Sequence, residues 1–131
     1  MKSYFATRAF AAALIGLALT GTSHADALDY EFQLVNSELK KGDAVIDVRL
    51  VDKRTGKAVP DAVIFAKRID MAPDGMAGMD MPIEQEATTE PGLYRFKTEL
   101  SMAGRWQLSL GAKVQGETGT VENKLILKAI R

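Results

Sequence analysis

Tyr30, Phe32 and Leu34 alternate with Glu31 and Gln33, and Ile46, Val48 and Leu50 alternate with Asp47 and Arg49. A period of two sends successive side chains to opposite faces, so each segment predicts a strand with one buried face. Lys53 to Asp61 holds the turn formers Thr55-Gly56 and Val59-Pro60-Asp61, after which Ala62 to Ile69 resumes with β-branched and aromatic residues. Past the Pro91-Gly92 turn, Tyr94, Phe96, Thr98 and Leu100 alternate with Arg95, Lys97 and Glu99. Gly104 opens a run in which Trp106, Leu108, Leu110, Ala112 and Val114 share a face, and Thr118 to Lys128 supplies a last strand after Gly116. No amphipathic helical pattern follows residue 25.

Short strands at this spacing predict an all-β chain, an immunoglobulin-like antiparallel β-sandwich of six to seven strands with Trp106 as the central core ring. A lipocalin-like barrel of eight long strands needs more residues than remain. No internal repeat or long linker interrupts the pattern.

The first 25 residues follow another logic. Lys2 and Arg8 form a basic region, Ala9 to Leu19 is an apolar run, and Ser23-His24-Ala25 places small residues at the −3 and −1 positions of a cleavage site. Spanning a bilayer takes about 20 apolar residues, more than this run has. The expectation is a helical secretory signal peptide over 1–25, cleaved after Ala25, with a single periplasmic domain over 26–131 and no stable membrane insertion.

Lysine plus arginine and aspartate plus glutamate each number 17; removing Lys2 and Arg8 leaves 15 cations against 17 carboxylates, a net charge near −2. Nucleic-acid binding relies on clustered cations, which no loop here concentrates, so nucleic acid is not an expected partner. The chain has no cysteine, and its one histidine, His24, departs with the leader. Zinc sites and histidine-based general-base relays therefore lack their usual residues. The carboxylates are scattered with no spacing that singles out a catalytic pair, and Gly75 and Gly78 form no phosphate loop. A binding or carrier protein is expected, not an enzyme.

One segment, Asp70 to Pro82, does not fit a packing role. It holds Met71, Met76, Met79 and Met81, four of the five methionines left after Met1, among Pro, Gly and Asp residues that favour turns. The composition predicts an exposed loop. Thioether sulfur is uncharged and prefers Cu(I) to harder ions, so these four residues are the candidate metal ligands, for Cu(I) or Ag(I) as its mimic. Met79 and Met81 are two apart, Gly75 and Gly78 let Met76 fold towards them, and Asp70, Asp74 and Asp80 are expected to attract the cation. Met102 is separate, either core or a remote ligand. The alternative is a metal-free interaction module whose methionines form an adaptable apolar surface docking on an efflux or membrane partner.

The runs Met71-Ala72-Pro73-Asp74-Gly75-Met76, Pro91-Gly92-Leu93-Tyr94-Arg95-Phe96 and Met102-Ala103-Gly104-Arg105-Trp106 resemble the YtkA-like and FixH-like proteins of bacterial envelopes. The resemblance covers roughly Tyr30 to Lys128. It implies a periplasmic immunoglobulin-like sandwich linked to metal efflux or to assembly of copper-containing oxidases, with a partner protein from one of those systems. The sequence departs from many relatives in having no retained membrane anchor and no histidine near the methionines, which disfavours Cu(II).

Overall fold

The computed structural model describes residues 27–131. The expected signal peptide over 1–25 lies outside the described residues. Among them, nine strands follow a short 3-10 turn at Ala27–Asp29: β1 (Tyr30–Leu34), β2 (Glu38–Lys40), β3 (Gly42–Asp52), β4 (Val63–Met71), β5 (Met76–Met81), β6 (Ile83–Glu86), β7 (Leu93–Leu100), β8 (Gly104–Lys113) and β9 (Val121–Ile130). Two sheets form, a four-stranded one in the order β1-β3-β7-β6 and a five-stranded one in the order β2-β9-β8-β4-β5. All pairings are antiparallel except β2 with β9.

This is the all-β, immunoglobulin-like sandwich that the alternation predicts. β1, β3, β7 and β8 are the strands legible from period two, β4 and β9 fall on the segments expected at Ala62 to Ile69 and Thr118 to Lys128, and β2, β5 and β6 are additions at sheet edges. Ala44, Ile46, Val48 and Leu50 of β3 and Tyr94, Phe96 and Leu100 of β7 face Trp106, Leu108, Leu110 and Ala112 of β8 across a continuous buried core. Burying each large apolar side chain contributes about 1.5–3 kcal/mol, so this interior is what holds two sheets together in a chain without disulfides. Trp106 is fully buried, and its indole N–H donates to the Met102 carbonyl at 3.0 Å, so the ring enters the core without an orphaned donor.

Tyr94 ties the connection between β3 and β4 to the core. Its hydroxyl donates to the Val59 carbonyl at 2.8 Å and accepts from the Ala62 N–H at 3.0 Å, while its ring meets Phe32 edge-on at 6.3 Å. Gly92, before β7, has a φ of 84° and lies against Ala58, where a side chain would collide.

Of the segment Asp70 to Pro82, residues 74–80 are exposed as composition suggests, but its start is buried and the whole is a hairpin in place of a loop. β4 runs on through Ile69, Asp70 and Met71, all buried, before the 3-10 turn Ala72–Asp74 and the return strand β5. Met71 shares the face of the buried Ile69 two positions earlier, and burial of that face outweighs the turn-forming neighbours that follow. Met71 is consequently a core residue with no exposed surface, a correction to its expected place on a solvent-facing loop.

Candidate methionine site

The site is built on the β4–β5 hairpin at one edge of the five-stranded sheet. Pro73 fits the first turn of the short 3-10 segment, where a missing N–H costs nothing, and Gly75 closes it in the left-handed region at φ 78°, ψ 14°, donating to the Ala72 carbonyl at 2.8 Å. The chain reverses within these few residues and sets Met76 directly opposite Met71.

Register decides which sulfurs meet. Met71 pairs with Met76, Asp70 with Asp80 and Ile69 with Met81, so Ala77, Gly78 and Met79 have no counterpart on β4 and form a bulge. Residues directly opposite in an antiparallel pair share a face, with Cβ atoms about 4.5–5.5 Å apart. Met71, Met76 and Met81 are therefore brought to one face of the hairpin, the face that carries Ile69 into the core, while Met79 projects from the bulge.

The four residues are graded in exposure. Met71 is fully buried, Met81 packs half-buried against the core, and Met76 and Met79 remain 38% and 36% exposed. Met81 also lines a surface depression of about 330 Å³ with Pro82, Glu84 and Lys97. Met102 packs against the core from the connection between β7 and β8. The Met71 methyl carbon lies so close to Gly104 that a β-carbon there would stand 2.7 Å from it and from Asp74 Oδ2.

Two arginines that the sequence reading did not single out hold this hairpin. Arg68 donates to Asp70 Oδ2 at 2.8 Å, to Asp80 Oδ2 at 3.1 Å and to the Ala77 carbonyl at 2.8 Å, fastening the bulge to β4. Arg105 donates its backbone N–H and its Nε–H to the two carboxylate oxygens of Asp74 and its Nη2–H to the Pro73 carbonyl, all at 2.8 Å. Asp70 accepts in addition from the Ala72 N–H at 2.9 Å.

The three aspartates thus anchor the hairpin through the two arginines, which offset two of their three charges. The Arg105 backbone N–H, and then its guanidinium, hold the Asp74 carboxyl below the ordinary value of 3.8. The signals were present, Arg68 two residues before Asp70 on one strand face and Arg105 after Gly104, but pairing over 31 residues is set by tertiary register.

Among the described residues no group of three His, Cys, Asp or Glu side chains is placed to hold a metal ion. The donors this region offers are thioethers, uncharged and soft, which suit a monovalent d¹⁰ ion and suit Mg²⁺, Ca²⁺ or Zn²⁺ poorly.

A family model described as YtkA-like matches residues 24–111, a stretch running through the methionine hairpin and most of β8. The chain belongs to the YtkA-like family. The fold is similar to the crystal structure of the Lin-41 filamin domain, at 17% identity and a TM-score of 0.45 over 82% of this chain and 95% of that one. No curated protein matches the chain. Among the described residues of this YtkA-like protein, no helix is long and apolar enough to cross a membrane.

Proposed function

We propose that this YtkA-like protein is a periplasmic carrier of Cu(I), with Ag(I) as its chemical mimic, that takes the ion on the β4–β5 hairpin and passes it to or from an envelope partner. Met76 and Met79 are the capturing donors, because their sulfur-bearing side chains are open to solvent. Met81 and the cross-strand Met71 lie beneath as further donors, and Met71 joins after a side-chain rotation out of its packed position. The observation that carries the proposal is the register that sets Met71 opposite Met76 and Met81 opposite Ile69, gathering three thioethers on one face beside the bulged Met79. The arginine contacts hold that arrangement before any ion arrives, which lowers the ordering cost of capture.

No bond in the cargo is made or broken; the chemistry is ligand exchange at a soft ion. The partner is a metal-efflux or oxidase-assembly protein of the envelope, and kinship with the FixH-like proteins belongs to the same proposal. Titration of the domain with Cu(I) against a competing chelator, beside a Met76→Leu, Met79→Leu, Met81→Leu triple variant, tests it. The wild-type protein is expected to hold the ion and the variant to lose it, since leucine keeps volume and removes sulfur. Equal affinities would end the proposal.

A second reading is favoured by one observation, that β5 is an edge strand carrying exposed methionines. Such an edge can dock a partner strand without metal. In that case the triple leucine variant keeps partner binding.

A further inference from the structure

We infer that Met76 and Met79 are a reversible oxidation site, converted to sulfoxides by peroxide-class oxidants while the protein stays folded, and that this modification switches off soft-ion capture. The switching half rests on the carrier function proposed above; the oxidation half does not.

The chain contains no cysteine, so thioethers are its only sulfur atoms and no thiol competes for oxidant. Their exposure is graded. Met71 is sealed from solvent, with its methyl carbon against Gly104. Met81 and Met102 are packed against the core. Met76 and Met79 are each more than a third exposed, on the edge strand of the sheet. Thioether oxidation follows access, so these two react first.

In the step itself a peroxide oxygen is transferred to sulfur. The peroxide O–O bond breaks, an S–O bond forms, the sulfur is oxidised by two electrons, and hydrogen peroxide leaves as water. The product carries a polar oxygen, and the one lone pair left on its electron-poor sulfur is a far weaker donor to a soft ion such as Cu(I).

Nothing that fixes the hairpin depends on these two sulfurs. The bulge is held by Arg68 on Asp70, Asp80 and the Ala77 carbonyl, and the turn by Arg105 on Asp74 and Pro73. A sulfoxide at Met76 or Met79 can therefore turn its oxygen to water with the sandwich intact, which makes the change reversible by methionine sulfoxide reductases.

The test treats the folded domain with limiting hydrogen peroxide and follows each methionine by peptide mass mapping, with a urea unfolding curve and a silver titration on the same samples. Met76 and Met79 should oxidise several-fold faster than Met71, the unfolding midpoint should stay in place, and silver affinity should fall by about tenfold or more and return after reductase treatment. Met71 oxidising as fast as Met76, or unfolding in step with oxidation, would overturn the modification site. Unchanged silver affinity in protein oxidised at both positions would overturn the switch. If unoxidised protein takes up no silver, the carrier function and the switch fall together, and the order of oxidation decides the modification site alone.

Discussion

Met71 and Met76 stand opposite each other across the β4–β5 ladder, the first with no exposed surface and the second 38% exposed. One residue closes the core and its partner opens onto solvent, so substitutions of identical chemistry should have unlike consequences. Met71→Ala removes a sealed side chain and is expected to lower stability by about 2–5 kcal/mol. Met76→Ala or Met79→Ala should stay within about 0.5 kcal/mol of wild type. Urea unfolding of the metal-free proteins gives both values.

Gly104 separates the roles of the glycines around the hairpin. It has a φ of 143°, and a β-carbon would meet both the Met71 methyl and Asp74 Oδ2, whereas a β-carbon at Gly78 meets nothing within 4 Å. Gly104→Ala is expected to destabilise by about 1–3 kcal/mol or more, and Gly78→Ala to be near neutral, in thermal or urea unfolding.

Asp74 gives the hairpin a pH dependence of fixed sign. Its carboxyl is held below the ordinary 3.8 by the Arg105 backbone N–H and guanidinium, so the unfolded chain takes up this proton first as pH falls. The stabilisation is present above pH 3.8 and is lost as pH drops through the lower folded value. Asp74→Asn should therefore narrow its stability deficit against wild type as the unfolding midpoint is measured from neutral pH towards pH 3 and below, and about 0.1 M salt should weaken the pair at neutral pH.

Tyr94 behaves in the opposite sense. Burial pushes its hydroxyl above the ordinary 10.0, so the folded chain keeps this proton longer, and stability is expected to fall as pH rises past 10.0. Tyr94→Phe leaves the Val59 carbonyl and Ala62 N–H without that hydroxyl and should cost about 1–3 kcal/mol at neutral pH, with a flatter alkaline limb.

β1, β3, β7 and β8 were legible because each buries one face, as in Ala44, Ile46, Val48 and Leu50 of β3, and a one-residue slip would expose that whole set. Trp106 was legible as the core ring for the same reason. β5 was hidden because Met76-Ala77-Gly78-Met79-Asp80-Met81 carries a bulge, which breaks the period of two that identifies a strand. Met71 was misplaced because its neighbours Pro73, Asp74 and Gly75 dominate a local reading, while its burial follows from Ile69 two positions earlier. Asp80 and Asp74 could not be assigned locally, since their partners Arg68 and Arg105 become neighbours only once β4, β5 and β8 are in register.

In the proposed carrier, thioethers of one hairpin converge on one soft ion. With the methionine methyl groups labelled by ¹³C, a silver titration followed by two-dimensional NMR reads each donor separately. The Met76 and Met79 methyl signals are expected to move together and saturate at one equivalent of silver, with Met81 and Met71 following and Met102 staying in place. Signals that do not move at one equivalent, or that all drift in parallel without saturating, would contradict this convergence.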